Sequence, residues 1–244
     1  MKICGLQKTT LLDFPGKVAA TIFTGGCNFR CPFCHNSQLL EHKADIALPE
    51  DKVLAFLKKR RNILEGVCIT GGEPTLQPDL EEFICKVRSL GLAVKLDTNG
   101  YRPEILKMLC QKGRIDAVAL DIKAGPSHYE RAAGCAGLNL EQIEQSIRFL
   151  LNGAIPYEFR TTVVAGLHDI TDFQEIGPWI RGCKQYFLQC YKESGQVLDP
   201  DSCHSFTRKE MEWFAQIIAP FCRAGDCAGN GLSQMGSVNL YSPF

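Results

Sequence analysis

Three cysteines lie close together in the segment TGGCNFRCPFCHN, which covers residues 24–36. Cys27, Cys31 and Cys34 are separated by three residues and then by two. Thiolates bind zinc and iron–sulfur clusters, and both kinds of site commonly use four protein ligands. A set of three therefore needs a fourth ligand from elsewhere in the chain, or it leaves one coordination position open for chemistry.

Two kinds of metal site are consistent with this spacing. A structural zinc site would need His35, Cys68 or another thiol as its fourth ligand, but adjacent residues such as Cys34 and His35 rarely reach the same metal, and zinc sites favour CxxC pairs. An iron–sulfur cube with three thiolate ligands leaves one iron exposed. The amino and carboxylate groups of an amino acid would suit that open iron.

The segment GGEP, residues 71–74, follows the next predicted strand. Gly71 and Gly72 allow close approach of the backbone and offer carbonyl groups to an ammonium, and Glu73 adds negative charge. Taken alone, GGEP is a tight turn that opens a helix. Because it lies one strand after residues 24–36, which we call the cysteine loop, GGEP predicts the second half of a binding site.

These motifs resemble those of the radical S-adenosylmethionine enzymes: CNFRCPFC, with an aromatic residue before the last cysteine, and GGEP downstream. The block of residues 5–36, with its DFPG and CHN segments, is similar to the activating enzymes of glycyl radical enzymes. Within that group it looks most like activators of anaerobic ribonucleoside-triphosphate reductase. DTNG at 97–100 and LDIK at 120–123 extend the resemblance over roughly residues 5–170.

The resemblance implies a specific chemistry. Cys27, Cys31 and Cys34 would hold a [4Fe–4S] cluster, and S-adenosylmethionine would chelate the fourth iron. One electron from the cluster would yield a 5′-deoxyadenosyl radical, which would take a hydrogen atom from a glycine Cα of a partner glycyl radical enzyme. The cofactor would carry the hard step and the protein would supply position. A low-potential electron donor such as flavodoxin or ferredoxin is implied as a second partner.

The resemblance also implies roles for residues near the cofactor. Gly71, Gly72 and Glu73 are expected to bind the methionine ammonium. Phe33 is expected to pack near the adenine; the alternative is that its ring is an ordinary aromatic of the core. Lys123 is expected to neutralise the carboxylate of S-adenosylmethionine.

Five further positions match the activating enzymes. Asp97, Thr98 and Asp121 match positions that hold a monovalent cation beside the cofactor; the alternative is two carboxylates that cap helices. Arg160 is expected to face the cofactor. Asp13 lies where related activating enzymes contact the glycyl loop of their partner.

The chain departs from this group in places. Pyruvate formate-lyase activators carry a histidine near the sixth strand end, where this chain reads FLQCYKESG, so Gln189 or nothing replaces it. Cysteines near the end of the chain could bind a metal, but packed or solvent-facing thiols are the favoured interpretation for Cys203, Cys222 and Cys227. Surface or hydrogen-bonded structural roles are expected for His128, His168 and His204.

The elements that must position these residues alternate along the chain. Apolar runs predict strands at residues 17–24, 66–70, 92–97, 115–123, 155–164 and 184–190. Helical patterns follow them at residues 48–64, 78–91, 103–113, 139–153, 172–182 and 205–222.

Repeated strand–helix units predict a parallel sheet with right-handed crossovers, and six of them favour an α/β fold of the partial (β/α)6 TIM-like barrel type. The candidate residues follow the carboxyl ends of the strands, where such folds bind ligands. No linker divides residues 1–244, so we expect a single domain with a short cysteine-containing tail from about residue 222.

Composition limits the choice of partners. Lys and Arg together number 27, as do Asp and Glu, so no bulk charge favours nucleic acid or a membrane surface. The first residues lack a long apolar run, so we expect no signal peptide, and no run in the sequence reaches membrane-spanning length. Thirteen cysteines then indicate reduced thiols and a cytoplasmic location.

Two alternatives come from other classes. One is a radical enzyme that acts on a small molecule or nucleobase, similar to a small deazaguanine-forming synthase; DFPG, CHN, DTNG and the balanced charge argue against it. The other is a non-enzymatic zinc-binding interaction module. Iron and sulfide in near-equal amounts would exclude the zinc module.

Overall fold

A computed structural model describes residues 1–40 and 47–223 and the backbone of residues 238–241. Backbone contacts divide the chain into two compact units. Unit 1 consists of Met1–Asn28, Asn36–Ala119 and Ala154–Pro156, and unit 2 consists of Phe29–His35, Leu120–Gly153 and Tyr157–Phe244. The expectation that residues 1–244 form one domain stays a prediction.

Unit 1 contains four paired strands: β1 (Ile3–Thr10), β2 (Ala19–Thr24), β3 (Gly66–Gly71) and β4 (Ala93–Thr98). β1 runs antiparallel to β2, whereas β2, β3 and β4 are parallel neighbours. In the β2–β3 register Thr24 pairs with Gly71. The cysteine loop and the GGEP segment therefore leave unit 1's sheet side by side.

The helices of unit 1 are α1 (Glu50–Arg60), α2 (Leu80–Ser89) and α3 (Pro103–Gln111). Acidic residues occupy the first turn of α1 and basic residues its last, which suits the helix dipole. Gly91 follows the end of α2 with a φ of 83°, as expected of a residue that ends a helix. The buried faces of these helices carry leucine, isoleucine, valine and phenylalanine at helical spacing.

Unit 2 continues from β5 (Ala117–Asp121), which begins in unit 1 and ends in unit 2. Its further strands are β6 (Tyr157–Val163), β7 (Tyr186–Cys190) and β8 (Val238–Tyr241), and β7 pairs in parallel with both others. Its helices are α4 (Tyr129–Ala133), α5 (Leu140–Leu151), α6 (Ile170–Trp179) and α7 (Arg208–Ile218).

Local signals explain where the helices of unit 2 begin. Asp169 caps α6, and Asp172 bonds back in a capping box. Thr207 caps α7 in the same way with Glu210, as the sequence predicts. Asn139 accepts a hydrogen bond from the Glu141 amide at the start of α5.

The six predicted strands and the six predicted helices all form in the described part of the chain, with bounds that differ from the predicted ones by up to four residues. β1, the short helix α4 and β8 are additional elements that the periodicity did not predict. Among the described residues, no helix is both long enough and apolar enough to span a membrane.

Candidate active site

In unit 1 the GGEP segment is bonded to the backbone that leads into Cys27. The Gly72 amide donates to the carbonyl oxygen of Thr24, and the Glu73 amide donates to that of Gly26, each at 2.8 Å. A Cβ on Gly72 would collide with the Gly26 carbonyl. Glycine is therefore needed at position 72 for the two segments to approach, which fixes the start of the cysteine loop against the end of β3.

Glu73 lies beneath this turn and is 1% exposed. Its carboxylate accepts hydrogen bonds from the Thr75 amide at 3.0 Å and hydroxyl at 2.6 Å, from the Thr98 hydroxyl at 2.8 Å and from the Asn99 amide at 2.7 Å. Burial raises the pKa of Glu73, while these donors oppose that shift. The carboxylate thus ties the end of β3 to the end of β4. Its expected contact with an ammonium stays a prediction.

Asn99 is not among the predicted site residues, yet its side chain approaches the cysteine loop. Asn99 Nδ2 donates to Asn28 Oδ1 at 2.8 Å and lies 3.9 Å from Cys27 Sγ. Hydrogen bonds to a ligand sulfur stabilise the thiolate and tune the metal that it holds. The position of this amide in DTNG, directly after a strand end, is the sequence signal that could have identified it.

Asp97 is paired with an ammonium. Its Oδ1 lies 3.2 Å from Lys95 Nζ, and Lys95, which is 2% exposed, also donates to the carbonyl oxygen of Asp13 at 2.7 Å. The Asp13 carboxylate in turn accepts a hydrogen bond from the Thr21 hydroxyl. Asp97 caps no helix in the described chain, since the described helices begin at other residues. The charge of Lys95 offsets that of Asp97, and the monovalent cation stays a prediction.

In unit 2 the loop that carries Cys31 and Cys34 packs on the end of α4. The Arg30 amide donates to the Ala133 carbonyl at 2.8 Å, and Cys31 Sγ lies 3.8 Å from the same oxygen. Gly134 ends α4 in the left-handed conformation, and a Cβ there would collide with the Arg30 carbonyl. The short helix that the periodicity did not predict therefore supports the cysteine loop.

Two aromatic contacts fix side chains of the same loop. Phe33 is 6% exposed, and its ring meets that of His168 edge-on with 6.3 Å between centroids. His35 stacks on Tyr191, just past β7, at 5.3 Å. Phe33 therefore has the surroundings of a core aromatic, and its expected contact with adenine stays a prediction. Tyr191 is not among the predicted residues because an aromatic at a strand end carries no distinctive pattern.

A charge cluster surrounds Asp121 at the end of β5. Arg160 Nε lies 2.9 Å from one carboxylate oxygen and Lys123 Nζ 3.2 Å from the other, while Glu158 lies 3.7 Å from Arg160. Burial opposes the ionisation of Asp121, but Arg160 and Lys123 outweigh it and lower its pKa to about 2. Burial also opposes the charge of Lys123, yet the attraction of Asp121 and Cys31 raises its pKa. The cluster therefore pairs two basic side chains with two acidic ones.

The remaining predicted positions are placed as follows. Gln189 accepts a hydrogen bond from the Thr162 hydroxyl at 3.3 Å, and Cys203 is buried. His128 lies 3.2 Å from Asp172, and His204, which is exposed, lies 3.8 Å from Glu193.

Two cysteines near the end of the chain are also singled out by the sequence. Cys222 lies 3.3 Å from Cys183, and Cys227 falls outside the described residues.

The cysteine ligand set suits an iron–sulfur cluster. Cys27, Cys31 and Cys34 supply three soft thiolates within eight residues of chain. Each unit adds a group that favours negative charge on sulfur: the Asn99 amide near Cys27 in unit 1 and the Lys123 ammonium that attracts Cys31 in unit 2. His35 stacks on Tyr191, in surroundings where burial lowers its pKa.

Comparison with known proteins identifies related chains. The family model described as the radical SAM superfamily matches residues 21–176. A Methanocaldococcus jannaschii protein provisionally named a glycyl-radical enzyme activating enzyme is 32% identical over 197 residues, which is 78% of this chain and 80% of that protein. A protein of Thermococcus kodakarensis described as a probable GTP 3′,8-cyclase is 32% identical over 150 residues, which is 60% of this chain and 47% of the cyclase.

Solved structures share the fold. A domain of a pyruvate-formate lyase-activating enzyme from Bacteroides vulgatus superposes with a TM-score of 0.52 and 18% identity, and the match covers 66% of this chain and 99% of that domain. At this identity the likeness concerns the fold alone. The predicted α/β fold of the partial (β/α)6 TIM-like barrel type is thereby confirmed.

Proposed function

Because the chain belongs to the radical SAM superfamily, we propose that it is an activating enzyme for a glycyl radical enzyme. Membership implies a [4Fe–4S] cluster and S-adenosylmethionine as cofactors. Cys27, Cys31 and Cys34 would hold the cluster, and the two cofactors together would supply one-electron cleavage of the sulfonium and a 5′-deoxyadenosyl radical able to take a hydrogen atom from a glycine Cα of the partner.

The observation that carries this proposal is the extent of one similarity. The relative named as an activating enzyme matches over about four fifths of both chains, whereas the GTP 3′,8-cyclase match covers less than half of that enzyme. The block of residues 5–36, with DFPG and CHN, supports the same assignment.

Unit 1 contributes Cys27 as one thiolate ligand and the GGEP turn as the place for the methionine ammonium. Close packing of Gly72 on Gly26 brings the turn against the cysteine loop. The carbonyl of Gly71 already accepts a hydrogen bond from the Asn36 side chain at 3.2 Å, which fixes the plane of that peptide. Glu73 acts from beneath by holding the turn and by adding negative charge.

Unit 2 contributes Cys31 and Cys34 as thiolates, Phe33 as the neighbour of the adenine, and a balanced charge cluster. Asp121 holds Lys123 and Arg160 in place through direct ion pairs. Fixed charges of this kind need no reorganisation during the reaction. We assign Lys123 to the carboxylate of S-adenosylmethionine and Arg160 to the surroundings of the cofactor.

The partner in this proposal is anaerobic ribonucleoside-triphosphate reductase, and Asp13 contacts its glycine-bearing loop. The backbone at Asp13 is held by Lys95, and its carboxylate by Thr21, so the DFPG segment is a preformed surface of unit 1. A flavodoxin or ferredoxin supplies the low-potential electron.

Three parallel reactions with different candidate substrates test the proposal. The cluster-loaded protein, reductant and S-adenosylmethionine are incubated anaerobically with the candidate reductase, with GTP, or with neither. We expect the reductase to stimulate 5′-deoxyadenosine formation to about one equivalent per activated glycine, and GTP to have no effect. Stimulation by GTP alone, with a new nucleotide product, would instead establish the second candidate function.

That second candidate is a radical enzyme acting on a nucleotide or another small molecule. The similarity to the Thermococcus kodakarensis protein favours it, since 32% identity extends over 150 residues, which is 60% of this chain. A purine substrate would need aromatic or amide contacts in addition to those that bind S-adenosylmethionine.

A further inference from the structure

Cys183 and Cys222 lie in direct contact in unit 2, apart from the cysteines assigned to the cluster. Their sulfur atoms are 3.3 Å apart, although 39 positions separate them in sequence. Cys183 is fully buried and Cys222 is half-buried. We propose that these two residues form a redox-active dithiol that small-molecule disulfides convert to an intramolecular disulfide.

The backbone around the two cysteines holds them at a distance that a disulfide requires. Cys183 and Cys222 form a parallel β-bridge, in which the Gly182 amide donates to the Phe221 carbonyl at 2.7 Å and the Arg223 amide to the Cys183 carbonyl at 2.9 Å. Bridged backbones lie about 4.8 Å apart. Disulfides join Cα atoms about 4.4–6.8 Å apart, so oxidation needs only side-chain rotation.

The environment distinguishes the two thiols. The hydrogen bond with Cys222, together with burial, raises the pKa of Cys183. Cys222 is the more accessible of the two residues, and its sulfur accepts the hydrogen bond from the Cys183 thiol. Cys222 is therefore the thiol that meets an external disulfide first, and Cys183 is the resolving thiol.

The reaction balances with a disulfide such as glutathione disulfide as the oxidant. The Cys222 thiolate attacks one glutathione sulfur, which breaks the S–S bond and releases one glutathione thiolate. The Cys183 thiolate then attacks Cys222 Sγ and releases the second glutathione thiolate. The two cysteine protons pass to the two released thiolates, so two glutathione molecules are formed and the protein loses two electrons.

The position of the pair gives this disulfide a structural consequence. Cys183 lies between α6 and β7, and Cys222 directly follows the 3-10 turn Ala219–Phe221 after α7. A bond between them would therefore close a loop that contains β7 and α7. Loop closure restricts the unfolded chain, so the oxidised protein should melt at a higher temperature than the reduced protein.

Tryptic peptide mapping tests the proposal on the full-length, cluster-loaded protein. The protein is equilibrated anaerobically in glutathione buffers of increasing disulfide content, alkylated and digested. Lys184 separates Cys183 from Cys190, and Arg223 separates Cys222 from Cys227, so the expected product joins peptides 182–184 and 210–223. We expect this linked peptide to account for more than half of Cys183 at the most oxidising ratio, with iron content unchanged.

Variants make the result specific. Cys222→Ser and Cys183→Ala should each abolish the linked peptide and the rise in melting temperature, whereas Cys190→Ser, at the end of β7, should retain both. Either of the first two variants suffices if the other fails to fold. Alkylation of Cys183 at every ratio, or a Cys222 that stops at the glutathione adduct or pairs with Cys227, would overturn the proposal. Its outcome is independent of the proposed activating function, since no S-adenosylmethionine is added.

Discussion

His168 donates a hydrogen bond from Nε2 to the backbone carbonyl of Lys123 at 2.7 Å, while its Nδ1 accepts one from the Val164 amide at 3.0 Å. The backbone amide can only donate, so the proton of the neutral ring lies on Nε2. Burial lowers the pKa of His168, which favours this neutral form. One buried ring thus links the residue after β6 to the second residue after β5 and meets the ring of Phe33 in the cysteine loop.

Replacing His168 tests whether this ring positions the cofactor site. His168→Leu loses both hydrogen bonds and should cost about 1–3 kcal/mol of unfolding free energy. We expect the KM for S-adenosylmethionine to rise several-fold with iron content unchanged. His168→Gln keeps a donor for the Lys123 carbonyl and should recover part of the KM. If both variants lose the same stability and the KM for S-adenosylmethionine does not change, His168 has a structural role only.

Gly72→Ala should disrupt the contact between the GGEP turn and the cysteine loop. The added methyl group collides with the Gly26 carbonyl, so we expect a loss of about 2–3 kcal/mol in unfolding free energy. Iron bound after reconstitution should fall by more than half. Gly195→Ala is the matched control, because no atom lies within 4 Å of its added Cβ. Full iron content in the Gly72 variant would contradict the close packing described here.

Asp121 should make stability depend on pH in the acidic range. Its pKa falls from 3.8 to about 2 on folding, because Arg160 and Lys123 outweigh burial. This shift corresponds to about 2 kcal/mol of stability that is present above pH 4 and is lost as the pH falls towards 2; about half remains at pH 3.

Denaturant unfolding at pH 5 and pH 3 measures this contribution. The wild-type protein should lose about 1 kcal/mol more between these two values than Asp121→Asn, in which the titrating group is absent. Other carboxylates titrate equally in both proteins and cancel in the comparison. An identical loss in the two proteins would mean that the ion pairs around Asp121 contribute nothing to folding.

Cys31→Ala should abolish reductive cleavage of S-adenosylmethionine and lower bound iron while the chain remains folded. The cluster then keeps only two of its three thiolate ligands. The apolar core around Cys31 is little changed by alanine, so the chain should still fold. Iron analysis, circular dichroism and 5′-deoxyadenosine formation are the measurements. Cys222→Ser and Cys227→Ser are controls that should retain cleavage. Retained cleavage in the Cys31 variant would remove Cys31 from the cluster.

Much of the fold could be predicted from the sequence because its central strands are apolar and β-branched and its helices are amphipathic. The elements from β2 to α7, apart from α4, belong to this class. β1 reads ICGLQKTT, an antiparallel strand with several exposed polar residues, so its alternation is weak. α4 has only five residues, which is too short for a helical period to be visible.

The chemistry of the candidate site could be predicted only where it resides in residue type and spacing. Cysteines and glycines after strand ends are visible in a sequence. The hydrogen bonds of Glu73 and the support of Arg30 by Ala133 depend on how the chain packs, and no local pattern encodes them. The same holds for Tyr191, whose stacking partner is distant in sequence, whereas the place of Asn99 in DTNG, directly after a strand, is a visible signal.

The most direct test of the activating function follows the hydrogen atom itself. The cluster-loaded protein, reductant and S-adenosylmethionine are mixed with anaerobic ribonucleoside-triphosphate reductase prepared with glycine deuterated at Cα, and with an unlabelled control. We predict a glycyl radical doublet by electron paramagnetic resonance in the control, and deuterium in the 5′-deoxyadenosine from the labelled sample. Deoxyadenosine without either signal would discard this partner, and absence of deoxyadenosine from protein that holds its cluster would contradict the account.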